Sequence, residues 1–487
     1  MKSFMKTIIT CLLCFCCIWQ VNTIQAATAT LPEINWLAYI KQNDTVNGGL
    51  APNFKSIAYR YEVEKDSDVM LDLTVTSYMN GVSVQMYDNS NNKIFAETIS
   101  KTQNSMSGTM KKTMCLSSGV YYIFVIASGE TGNYTITTET QKLYNQDIIT
   151  DSSKKNDTMK NAIVVPVNTV YTGALNIRET VDLYRVDLNQ SGVLKCQFDY
   201  YFSDCNVRIL DKDGVQLFRD TLKWNEALKA GTYLYQTALQ KGTYYFEVSR
   251  NQSSNTVQNT GKYYFNLKFE GVDINEVEPN DDLVTAETLG IGAKKKALIT
   301  LGGDVDTYKI QVEKKRFLTF VINSDIQNYQ WTLYNRKYEQ IKTLTFTLQQ
   351  DQTKNNMSYT CEMPVGTYYF QVKSANSTGV YDVAVNNTVA PKKTTITKHK
   401  TTRNSSTSSN VQIWWKSISG IDGYEVYISN SSSFKGATPQ NVTDRTTTFS
   451  IEKGKRYYVR IRSYKKTGDG KMLYSAFSTK KSYLMKK

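Results

Sequence analysis

Gly242-Thr243-Tyr244-Tyr245-Phe246-Glu247-Val248 and Gly366-Thr367-Tyr368-Tyr369-Phe370-Gln371-Val372 are nearly the same seven residues, and Gly119-Val120-Tyr121-Tyr122-Ile123-Phe124-Val125 is a looser copy. Each is followed by a second signature: Thr131-Gly132-Asn133-Tyr134, Thr260-Gly261-Lys262-Tyr263 and Thr378-Gly379-Val380-Tyr381. Upstream, Tyr59-Arg60-Tyr61-Glu62-Val63 matches Tyr184-Arg185-Val186-Asp187-Leu188 and Tyr308-Lys309-Ile310-Gln311-Val312. Next come Leu71, Leu73 and Val75, then Leu194, Cys196 and Phe198, then Leu318, Phe320 and Ile322. A further run supplies Val84 and Met86, Val207 and Ile209, and Trp331 and Leu333, with polar turns such as Asp211-Lys212-Asp213-Gly214. Successive strand residues point to opposite faces, so this period of two buries one side of each ribbon. Recurring short strands separated by turn signals predict sandwiches of two packed sheets, repeated along the chain.

Composition agrees. The chain has 487 residues, rich in Tyr (34) and poor in Pro (7). Tyr, Val, Ile and Thr suit a pleated, half-buried surface, and the length suffices for three or four domains. The fold class read here is all-β: tandem β-sandwich modules, three of one kind and a different fourth. Residues 1–29 are set apart. Lys2 and Lys6 precede an apolar run from Ile8 to Val21, followed by Ala26, Ala27 and Ala29. This reads as a secretory signal peptide cleaved after Ala26 or Ala29, because about 14 apolar residues are too few to cross a bilayer. The residues before Cys14 and Cys16 are too large for a lipobox. A secreted or extracellular location, in places associated with the cell surface, is therefore expected, with no transmembrane segment and no sorting tail.

Cys115, Cys196, Cys205 and Cys361 remain beyond the leader, too few for a disulfide scaffold. Cys196 and Cys205 sit at inward positions where a bridge or two buried thiols both fit. Cys361 aligns with Met114 in the core, and Cys115, one position along, is expected to face outward or sideways. The single histidine, His399, rules out Ser-His-Asp and Cys-His nucleophile sets and a His-based zinc site. Neither standard phosphate-binding glycine spacing occurs. No enzyme and no nucleic-acid partner is expected.

The third copy reads Glu278-Pro279-Asn280-Asp281, Gly303-Asp304-Val305-Asp306-Thr307-Tyr308 and Pro364-Val365-Gly366-Thr367-Tyr368-Tyr369. It resembles the bacterial pre-peptidase C-terminal domain, the jelly-roll-like sandwich family that includes collagenase collagen-binding domains. The likeness covers about 110 residues, extends moderately to the second copy and weakly to the first. The modules so implied are 30–142, 143–271 and 272–388. The resemblance implies Ca²⁺ held by Glu276, Glu278, Asn280, Asp281, Asp304 and Asp306. The residues themselves support it, since an extended Glu276-Val277-Glu278-Pro279-Asn280 aims alternate oxygens one way and Ca²⁺ takes several oxygens in loose geometry. A solvated acidic linker is the plain alternative. The second copy keeps Asn156, Asp157 and Asp182 but has Ser152, Lys154 and Thr180 elsewhere, and the first has Ile57 for Asp306. The site is expected in the third copy alone.

Residues 389–410, rich in Lys, Thr and Ser, read as a linker. Residues 411–487 resemble a fibronectin type III domain, with Trp415 as its core tryptophan and Tyr457 as its tyrosine corner. The whole chain carries +14, and residues 392–487 alone carry +15. Arg460 and Arg462 are read on one exposed face, where they either contact an anionic cell-wall polymer or merely solubilise. Outward aromatics, namely Tyr122, Tyr200, Tyr201, Phe202, Tyr245 and Tyr369, are candidate contacts for an extracellular protein or polysaccharide, collagen-like or a wall or host glycan. The functional expectation is a non-catalytic binding or adhesion protein; the alternative is a spacer or surface-layer component without a specific ligand.

Overall fold

The computed structural model describes residues 31–485 except 33, 35, 102–104, 144–154, 224–229 and 251–258. The leader read at 1–29 lies outside the described residues, as do Ser152 and Lys154. Among the described residues no helix is long and apolar enough to cross a membrane. The chain is almost entirely β, folded into separate sheets that pair as tandem sandwiches.

The second and third copies share one topology. In the third, a five-stranded sheet runs Glu287–Thr288, Val305–Val312, Gly366–Lys373, Asn328–Asn335, Gln340–Thr347. The facing four-stranded sheet runs Lys294–Ile299, Gly379–Asn387, Arg316–Ser324, Asn355–Met363. Alternation decides what is inside: Leu318, Phe320 and Ile322 are buried from one sheet, and Trp331, Leu333, Phe370 and Val372 from the other. Phe370 stands 5.2 Å from Phe320 and 5.1 Å from Trp331, ring centre to ring centre, so the two sheets interlock through aromatics.

The first copy departs from the expected pair of sheets. Ser56–Ser77 and Gly108–Ala127 are long enough to run through both layers, with an irregularity between Val63 and Asp68, so one continuous seven-stranded sheet folds over its own core. Where the second copy breaks the chain at Asn189-Gln190-Ser191, the first bends without breaking.

The Gly-x-Tyr-Tyr phrase has a physical explanation. Its first tyrosine donates its hydroxyl to the carbonyl four residues earlier: Tyr121 to Ser117 (2.7 Å), Tyr244 to Gln240 (2.9 Å) and Tyr368 to Pro364 (3.1 Å). In the second and third copies the bond closes the turn that restarts the strand; in the first it spans the bend within the unbroken strand Gly108–Ala127. The second tyrosine, at 122, 245 or 369, points the other way and is half-buried.

The C-terminal module pairs the sheet Ile396–Arg403, Ser408–Trp415, Thr446–Glu452 with a sheet built on Gly423–Ser429 and Arg456–Lys466. Two expectations change here. The stretch 389–410 is not all linker, because Ile396–Arg403 is an edge strand paired along Ser409–Trp415. Only Ile396 on it is buried, so the two-residue alternation that reveals a strand is absent. Trp415 is buried as expected, but Tyr457 is half-buried and its hydroxyl finds no hydrogen-bond partner among the described residues. Cys196 and Cys205 are separate buried thiols in facing sheets, and burial pushes Cys196 up to about 12, leaving it inert. Cys361 is in the third core. Cys115 leaves its own core as expected, yet it is buried, packed with Leu143 and with Ala174 of the next module.

Tyr368→Phe removes one hydrogen bond and keeps the ring, so it is expected to cost about 1 kcal/mol, whereas Phe370→Ala empties the centre of the core and should cost about 3–5 kcal/mol. Denaturant titration of the full chain checks the ranking; equal losses would mean that the turn bond does not anchor the strand.

Candidate metal centre

Asp306 occupies an inward position of Val305–Val312, in line with the buried Tyr308, Ile310 and Val312. A carboxylate there needs a reason, because burying an unpaired charge is costly. The preceding segment 276–281 threads between the two sheets. Asn280 O accepts from Thr307 N (2.9 Å), and Glu276 Oε1 accepts from Leu298 N (2.8 Å). Glu278 Oε2 accepts from Asn280 N (2.9 Å), and the Glu278–Pro279 peptide is cis. These bonds bring one carboxylate oxygen each of Glu276, Glu278 and Asp306 to within 4.8 Å of one another.

Among the described residues no cationic side chain offsets them. Glu276 Oε2, Asp306 Oδ1 and both amide atoms of Asn280 are buried without a hydrogen-bond partner. The other Asp306 oxygen accepts from the Tyr381 hydroxyl, itself bonded to Tyr308 (2.7 Å). Burial is the main cause of the electrostatic consequences, and mutual repulsion adds to it. Glu276 is pushed up to about 8 and Glu278 to about 7, while Asp304 is raised and Asp306 is raised well above its ordinary value. All the donors are oxygens, the set that a hard divalent cation takes. The buried, unpartnered oxygens fit such an ion.

Not all six predicted ligands converge. Asp281 is exposed and takes the Val305 amide at 3.4 Å. Asp304 Oδ2 is engaged by the amide and hydroxyl of Thr300 (2.7 and 2.8 Å), closing a loop in which Gly302 and Gly303 take φ of 100° and 87°. Both lie outside the triad; Asp304 acts on it through charge. Sequence reading missed the Tyr308–Tyr381 pair behind Asp306, although the repeated tyrosines marked it. It also missed Gln240 of the second module, whose amide reaches Glu278 Oε1 at 3.4 Å.

The second module keeps this frame. Asn156 O accepts from Leu183 N (2.7 Å), and Tyr263 donates to Asp182 (2.6 Å). It has Thr180 where the third has Asp304.

The candidate ligand-binding side chains scatter. Tyr200 and Phe202 are buried in the second core, and the Tyr200 hydroxyl is spent on Lys223 O (2.6 Å). Tyr201 is exposed, edge-on to Tyr264 with Lys262 over both rings. Tyr122 and Tyr245 are half-buried on their strands. Tyr369 joins a platform that the sequence did not reveal: Tyr338, half exposed, lies 5.7 Å from Tyr334 and 6.4 Å from Tyr369. Arg460 and Arg462 are not on an open face. Arg460 stacks on Phe477 (3.8 Å) and Phe434 (4.4 Å), and Arg462 stacks on Tyr474 (3.6 Å) while pairing with buried Glu425. Alternation placed them off the core correctly, but a second layer of aromatics covers them.

No protein-family model and no curated protein matches the chain. Among solved structures, the chain is similar to the pre-peptidase C-terminal domain of collagenase from Bacillus anthracis, at 20% identity over 23% of this chain and 99% of that one, TM-score 0.18. It is similar to the FN1-FN3 domains of chicken CNTN1, at 11% identity over 65% of this chain and 97% of that one, TM-score 0.18. A β-1,2-glucanase from Parabacteroides distasonis matches at 12% identity over 40% of this chain and 32% of its own, TM-score 0.15.

The raised carboxyls give a pH signature. A carboxyl raised in the folded state binds more protons folded than unfolded, so stability falls as pH climbs from its unfolded value through its folded one. With divalent cations chelated, the third module should lose stability between about pH 4.5 and about pH 8. Glu276→Gln should flatten that slope. Thermal melts in chelator across this range test it, and a flat wild-type profile sinks the electrostatic account.

Proposed function

We propose that this chain is a secreted, non-catalytic binding array whose third module holds Ca²⁺ through Glu276, Glu278, Asn280 and Asp306, and which engages an extracellular protein or polysaccharide. The observation that carries the reading is the largely buried triad of carboxylates with unpartnered oxygens and, among the described residues, no cationic side chain to offset them. A bound Ca²⁺ would supply charge compensation only; the chain's own residues do the rest. Asn280 and Asp306 are held by backbone and tyrosine bonds, so the donors are preorganised on one strand and one threaded segment.

The recognition surface that best fits this reading is the Tyr334, Tyr338 and Tyr369 platform. Tyrosine faces give broad, amphipathic contact area at low entropic cost, suited to protein or glycan. The platform is tied to the acidic segment, because the Leu283 amide, two residues past Asp281, donates to the Tyr338 hydroxyl (3.2 Å). Ordering the acidic segment with a cation therefore steadies Tyr338. The leader read at 1–29 supports export, where Ca²⁺ is plentiful. The basic C-terminal segment draws the array towards anionic polymer through its lysines rather than through Arg460 and Arg462.

Millimolar Ca²⁺ should raise the unfolding temperature of the third module, by an increment growing with ligand concentration, and Asp306→Asn should abolish the rise. Retention of the whole chain on immobilised collagen, wall polysaccharide and mucin should be Ca²⁺-dependent for one of them and lost in Tyr338→Ala plus Tyr369→Ala. Retention on none, or retention erased by moderate salt alone, would leave the spacer reading.

A further inference from the structure

A sandwich leaves the outer strand of each sheet with unpaired backbone groups, a liability that folded proteins cover. Three such edges are equivalent here. They are the part of Gly108–Ala127 up to Ser117, Gly231–Leu239 and Asn355–Met363, as the register shows: Cys115 pairs with Met70, Ala238 with Val193 and Glu362 with Phe317. On each edge the amide at that same position is capped by the next module. Cys115 N donates to Thr260 Oγ1 (2.9 Å), Ala238 N to Thr378 Oγ1 (2.9 Å) and Glu362 N to Asp469 Oδ2 (3.1 Å). Thr260 and Thr378 belong to the recurring Thr-Gly signature.

The capping bond does not stand alone. At the first joint Ile177 packs against the core of the first module and donates its amide to Cys115 O (3.0 Å). Arg178 Nη1 donates to Ser118 O (3.1 Å) and Nη2 to Asn89 Oδ1 (3.2 Å). At the second joint Leu301, in the matching loop, packs against the core of the second module. At the third, Gly468 N donates to Thr360 O (2.7 Å), and Lys471 pairs with Glu362 (2.6 Å). The fourth module has a different sheet arrangement, yet it lands on the same edge amide.

We infer that this edge strand is a docking surface whose partner is the next module of the same chain, so that the four sandwiches form one rod of fixed geometry rather than beads on flexible tethers. Its chemistry is one side-chain oxygen for one backbone amide, seated at the first two joints by an aliphatic plug. The inference is independent of any ligand and of Ca²⁺.

Hydrogen exchange of the full chain, read by mass spectrometry on peptides covering Cys115 and Ala238, tests the joints one at a time. Both amides should be protected in the native chain. Thr378→Val should speed exchange at Ala238 at least tenfold and leave Cys115 unchanged; Thr260→Val should do the reverse. Spin labels at Ser90→Cys and Lys337→Cys should give one narrow distance that broadens in the double variant. Fast exchange at both amides in the native chain, or a broad native distance distribution, overturns the proposal. Unchanged exchange in both variants would likewise remove the threonines as its basis.

Discussion

A hydrogen bond between two buried tyrosine hydroxyls organises each of the first three modules. Tyr59 meets Tyr134 at 2.9 Å, Tyr308 meets Tyr381 at 2.7 Å, and Tyr184 and Tyr263 form the same pair. A buried phenol needs a partner, and each satisfies the other across the core, which fixes the offset of one layer against the other. Two residues before the first tyrosine stands Ile57, Asp182 or Asp306. In the second and third modules that aspartate takes the hydroxyl of the later tyrosine. The candidate metal centre is thus an elaboration of a structural device: the third module adds Glu276 and Glu278 to an aspartate already positioned by the tyrosines.

Charge then separates the modules. In the third, burial of the carboxylates, with their mutual repulsion added, raises their proton affinity and leaves buried oxygens without a hydrogen-bond partner. The same third module meets the second through Gln240 and Leu301 and carries the tyrosine platform through Leu283. Carboxylate cluster, joint and candidate recognition surface are neighbours because one short acidic segment and one loop serve all three.

Much of this was legible in the residues. Period-two alternation identified the strands, since burial on one face must repeat every second residue, and recurrence gave the modules. Glu276, Glu278 and Asp306 were named among six candidates by the resemblance, with an extended acidic segment that aims alternate oxygens one way as the support read from the residues. The strand Ile396–Arg403 was hidden for the converse reason: an exposed edge strand with one buried residue has no alternation to read. The aromatic cover over Arg460 and Arg462 was hidden because Phe477 and Phe434 lie on separate segments.

The amino-acid order by itself determined the all-β class, the repetition, the inward set of each strand and the acidic segment that opens the third module, since these follow from local periodicity and side-chain chemistry. Only the tertiary structure decided which carboxylates meet, which tyrosines share a face and how each module seats on the last. Those outcomes depend on register and on hydrogen bonds between residues as far apart as Cys115 and Thr260, and no local pattern encodes a distance across that much chain.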